Sequence, residues 1–146
     1  MKTTLALAAL LLGGSAALAQ PAPSATTSHA VPLIKLPNGD YTVPMRELEG
    51  SNTTGKVTLH RQGMSTLVTV YVFGNGHHKY RFNLKSGSDC VHASAAGAVA
   101  LKPAVPGQPS QTLVSVPIEN FSSKNYVIDM QNATAENQFK EACARL

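Results

Sequence analysis

The chain has 146 residues, 12 Lys and Arg against 8 Asp and Glu, two cysteines, no tryptophan and 5% aromatic residues. Its cations stand singly, without a Lys/Arg cluster or interleaved aromatics, so the pattern expected of nucleic-acid binding is missing. Beyond the N-terminal stretch no run approaches the roughly 20 apolar residues of a membrane span.

The chain opens MKTTLALAALLLGGSAALAQ. Lys2 supplies a positive start, Leu5 to Leu12 an apolar centre, and Ala17-Leu18-Ala19 the small residues that a signal peptidase cuts. A Sec-type signal peptide over residues 1–19 is therefore expected, with cleavage after Ala19. No cysteine follows the apolar stretch, which argues against a lipid anchor. The product is expected in the periplasm or outside the cell. Removing 19 of 146 residues leaves 127, with 11 basic residues (Lys2 is lost) against 8 acidic. That length suits one domain, expected over 31–146. A mild positive charge can attract small anions, and it also keeps a protein soluble. In an oxidising compartment two cysteines most economically form one disulfide, worth about 4 kcal/mol for a loop this long. Two free thiols are the alternative.

Residues 20–30, QPAPSATTSHA, lack periodicity and read as a flexible leader. VPLIKL (31–36) and YTVPM (41–45) flank the turn sequence Pro37-Asn38-Gly39-Asp40, predicting a short hairpin. Pro32 and Pro44 predict that both strands lie at an edge. KVTLHR (56–61) alternates, with Val57 and Leu59 on one side. TLVTVYVF (66–73) is β-branched and aromatic almost throughout, as a strand buried on at least one face requires. Gly74-Asn75-Gly76 then turns the chain into a strand over 79–85, where Tyr80, Phe82 and Leu84 alternate with Arg81, Asn83 and Lys85. TLVSV (112–116) and NYVIDMQ (125–131) are two further strands, joined to the rest by Gly/Ala/Pro/Ser-rich connections. The last 15 residues are expected to form a short helical or irregular loop and a brief final strand. Short strands at regular spacing predict an all-β, antiparallel sandwich or barrel.

The order of features resembles the copper/zinc superoxide dismutase superfamily and its small secreted, CHRD-like relatives. That family's copper signature runs F-H-[IV]-H-E-x-G-D-C, and Phe82 to Cys90 (FNLKSGSDC) lies on it without a gap. Phe82, Asp89 and Cys90 match, whereas Asn83 and Lys85 stand at the two histidine positions. A later copper histidine ends a Y-A-x-x-V-H strand, and here Gln131 has that place. The late R-L-A-C-G motif aligns with Lys140 to Ala144. The resemblance thus implies a Greek-key β-sandwich or barrel with a Cys90–Cys143 disulfide, and puts Lys140 where the family keeps an anion-guiding arginine.

Copper redox chemistry needs imidazole ligands with an open position. An amide oxygen is a poor copper ligand, and a protonated lysine is none at all. Asn83, Lys85 and Gln131 therefore imply a metal-free relative, with no cofactor and no catalytic residue. The zinc loop that follows the first cysteine in the family is reduced to His92 alone. Arg81, Asn83, Lys85 and Gln131 are expected on one sheet face, as donors for a protein, glycan or small anion, or simply as a wet surface. Two other readings stand beside this one. The first is a divergent metal-dependent dismutase using His77, His78 and His92. The second is an immunoglobulin-like adhesion or chaperone domain, with another strand order and its cysteines too far apart to bridge. No G-x-S-x-G, P-loop, H-E-x-x-H or C-x-x-C motif is present.

Overall fold

Hairpin chemistry opens the fold. In a computed structural model, which describes residues 33–48, 50–74, 77–134 and 140–146, two strands flank the Pro37–Asp40 turn: β1 (Ile34–Lys35) and β2 (Tyr41–Glu47). Gly39 takes φ +85° there. Leu36 N–H donates to the Asp40 carbonyl at 2.7 Å, closing the turn. The stretches expected as signal peptide and leader fall outside the described residues, as do Pro32 and Asn75-Gly76.

Among the described residues seven more strands follow: β3 (Thr54–Gln62), β4 (Ser65–Phe73), β5 (Tyr80–Ser86), β6 (Val99–Ala104), β7 (Ser110–Val114), β8 (Tyr126–Asn132) and β9 (Lys140–Arg145), with one short helix, α1 (Ile118–Ser123), before β8. All the pairings are antiparallel, in the order β6-β5-β8-β9-β2-β3-β4-β7, with β1 beside β2. The two ends of this order meet. Lys102 N–H donates to Thr112 Oγ1 at 2.8 Å, and Ser110 Oγ donates to the Lys102 carbonyl at 2.6 Å. Side chains, rather than a backbone ladder, bridge this seam and leave a nearly closed barrel-like sheet. Strands β5, β6 and β7 follow one another around the wall. β8 returns through α1 to lie beside β5, which is a Greek-key connection.

Alternation decides the interior. Val57 and Leu59 of β3, Val68 and Val70 of β4, Phe82 and Leu84 of β5, and Ile128 and Met130 of β8 all point into one core and are at most 2% exposed. α1 adds Ile118 and Phe121 to that core, with the Phe121 ring 5.2 Å from Tyr126.

Several sequence expectations need correction. Strand β2 is not an edge: it pairs with β3 along one side, and with β1 and then β9 along the other. Pro44 is accommodated because it falls between the β1 partners (Tyr41, Thr42) and the β9 partners (Arg46, Glu47), where no ladder bond is required of it. Strand β6 and helix α1 lie in stretches read as connections. VALKPA contains Pro103, and a bulge opposite Tyr80–Phe82 breaks its alternation. Six residues of α1 are too few to show helical periodicity. The strand expected at 112–116 runs over 110–114 instead, because the chain turns at Ser115 toward α1.

Candidate functional site

The β5–β8 register brings the predicted residues together. Arg81 lies opposite Gln131, Asn83 opposite Asp129, and Lys85 opposite Val127. The neighbours of these residues along each strand point into the core, so this set faces outward. The three positions that the family resemblance gives to copper ligands therefore share one small region of sheet.

Asp129, which was read only as a strand residue, is the centre of that region. Its carboxylate is 1% exposed, with Oδ2 2.5 Å from Lys85 Nζ and Oδ1 accepting from Asn83 Nδ2 at 3.2 Å. An ammonium and an amide thus satisfy both carboxylate oxygens. An unpaired buried carboxylate would cost several kcal/mol, so the partners are what make its burial possible. A signal was present in the sequence: a lone acid inside the apolar run VIDM requires a cation from a neighbouring strand.

A second layer seals the pair. Cys143, opposite Asp129 in register, is bonded to Cys90 with their Cα atoms 6.1 Å apart. The loop after β5 is thereby strapped over the outer face of β8 and β9. Lys140 Nζ donates to the Cys90 carbonyl. Ser94 N–H donates to the Ser86 carbonyl at 2.9 Å. Gly87 lets the strap close, because a Cβ there would lie 2.6 Å from Ala93 Cα. Val127, Asp129 and Cys143 are consequently buried although they face away from the main core.

At the outer end of the strap, Asp89 Oδ1 accepts from the backbone N–H groups of His92 (2.8 Å) and Val91 (2.9 Å), and lies 3.0 Å from His92 Nδ1. These bonds hold the exposed carboxyl down at about 2, with the His92 backbone bond the largest cause and its imidazole next. Lys140 is therefore half-buried and bound to the strap, and Asn83 and Lys85 are turned to Asp129. Arg81 is exposed and Gln131 only partly covered.

The copper expected of the family does not fit these residues. Lys85 places an ammonium, held by Asp129, among the would-be ligands, and Asn83 aims its amide N–H₂ at the same carboxylate. The alternative histidine set does not assemble either. His92 is on the strap with Asp89, whereas His78 stands at a separate open depression of about 330 Å³, lined also by Ser51, Asn52, Thr53, Tyr80, Asn132 and Glu141. Among the described residues no three His, Cys, Asp or Glu side chains converge as metal ligands. His60 pairs with Asp40, at 2.6 Å. The bonded cysteines are also contrary to the immunoglobulin-like reading, which expected them too far apart to bridge.

No family model, no curated protein and no solved structure matches the chain.

Proposed function

We propose that this chain is an exported, non-catalytic binding module, built like a superoxide dismutase whose metal centre has been replaced by an internal ion pair. The observation that carries the reading is the Lys85–Asp129–Asn83 cluster, where a fixed ammonium sits among the positions that the resemblance assigns to copper ligands. It repels a second cation and leaves no open coordination position. Binding then falls to the outward groups that remain free beside the strap, Arg81 foremost. The signal-like N-terminus and the disulfide support a periplasmic or secreted setting.

Metal analysis of the mature protein after loading with copper and zinc tests this reading. The expected result is substoichiometric, weakly held metal and no dismutation above the buffer background. One tightly held copper per chain with superoxide dismutation would overturn it.

A further inference from the structure

Cations that stand apart in the sequence meet on one wall of the barrel. Arg81 of β5 and Lys102 of β6 flank the strap on one side, and Arg145 of β9 and Arg46 of β2 flank it on the other. All four are exposed. Each follows or precedes a core residue: Phe82, Leu101, Ala144 and Met45 respectively. Arg145 lies opposite outward-facing Val127, and Arg46 opposite outward-facing Cys143. None of the four takes part in an ion pair among the described residues, whose pairs involve His60, Arg61, Lys85 and His92. These strands also carry three carboxylates: Asp129 is sealed and already neutralised by Lys85, Glu47 at the end of β2 accepts from the Asn52 N–H, and Glu141 is half-buried beside the depression that holds His78. Asp89, on the strap, is held by His92. On these strands and the strap together six Lys and Arg stand against four Asp and Glu, so the wall keeps a positive excess.

From this we infer that the outer face of β6-β5-β8-β9-β2 binds an anionic polysaccharide laid across the strap, an inference that rests on the binding-module reading above. Three features select that partner. Arg81 and Arg46 are separated by three strand spacings, roughly 14 Å, which exceeds the reach of one small anion but suits a polymer that engages both flanks at once. Guanidinium groups bind carboxylate or sulfate through paired N–H donors, and Gln131 beside Arg81 offers an amide for sugar hydroxyls. Among the described residues this face carries no exposed Phe or Tyr ring, so they offer no platform for stacking bases and no ring to seat in a lipid interface. The exposed Phe73 is on β4, in the opposite wall.

The test uses the mature chain with immobilised dextran sulfate and polygalacturonate, at about 20 mM and about 150 mM salt. Binding to at least one polymer is expected, weakening as salt rises. Arg81→Gln with Lys102→Gln, and separately Arg46→Gln with Arg145→Gln, should each lower affinity by roughly tenfold. Lys35→Gln with Lys124→Gln removes the same net charge elsewhere and should change affinity less than about twofold. All of these positions are exposed, and unchanged thermal melting verifies the fold. The proposal is overturned if the control pair weakens binding as much as the face variants do, or if neither polymer binds at low salt. Tighter binding to DNA or to anionic lipid vesicles than to either polymer also overturns it. Tight copper with dismutation would remove the parent reading without touching these affinities, so the two failures are distinguishable.

Discussion

Two walls of one barrel treat their outer faces differently. Outside β2-β3-β4-β7, Thr42, Thr58, Thr69 and Gln111 form a cross-strand row, and beside it Lys56 stands over the Tyr71 ring, 4.6 Å from its centre. That wall is a single layer: apolar residues inside, hydroxyls and a solvated cation outside. Outside β5-β8-β9 the same alternation runs, yet Val127, Asp129 and Cys143 are as buried as the core. The strap makes the difference. A residue's outward direction is set by the pleat, but its burial is set by whether a second layer covers it. Once covered, an outward acid must bring a cation with it.

The largest expected effect comes from removing what holds that second layer. Cys90→Ser with Cys143→Ser should destabilise the fold by about 4 kcal/mol, read by urea denaturation, because the closed loop has a 53-residue separation. The same change should speed amide exchange in the strap and in β8 far more than in β3 or β4. Uniform acceleration throughout the barrel would refute the two-layer description.

Matched lysine substitutions sharpen the contrast. Lys85→Met leaves the Asp129 carboxylate buried without its cation and should cost about 3 kcal/mol. Adding Asp129→Asn should recover much of that loss, because the stranded charge is then gone. Lys56→Met, in the single-layer wall, forfeits only an exposed cation–π contact and should cost about 0.5 kcal/mol. Equal losses at the two lysines would show that the strap does not isolate its pair from water.

Gly87→Ala probes the fit of the strap rather than its charge. Its added methyl meets the Ala93 backbone and side chain, so a loss of about 2 kcal/mol is expected. The melting temperature should fall while the disulfide remains intact by mass spectrometry.

The smallest effect is at the solvent end of the strap. Asp89 lies below its ordinary 3.8, at about 2, so its contribution to stability is present above pH 3.8 and fades as pH falls toward 2. His92→Ala should raise the Asp89 value only part of the way back, because the backbone N–H at position 92 is the largest cause and survives the substitution. Carboxyl titration by NMR would read this. A full return to the ordinary value would assign the shift to the imidazole instead.

Much of this barrel was legible because β-structure writes its two faces into neighbouring residues. The alternation of Tyr80, Phe82 and Leu84 with Arg81, Asn83 and Lys85 states the inside and outside of β5 without reference to anything distant. The same is true of Val57 and Leu59, and of the Pro37–Asp40 turn. Strand β6 was illegible for the converse reason, since its bulge removes the period that would have announced it. Pro44 misled because a proline reports one missing donor, and an interior strand can spare that donor where two partners succeed one another.

Sequence by itself thus determined the class of fold, the inward residues of most strands, and the presence of two cysteines able to staple it. Only the tertiary structure decided which outward residues would be covered, and so that Asp129 meets Lys85 across 44 positions of chain. It also decided that Arg46, Arg81, Lys102 and Arg145 share one wall. Side-chain direction is a local property with a period of two residues. Partnership depends on strand order and on a loop folding back over the sheet, and both are settled only when distant segments pack.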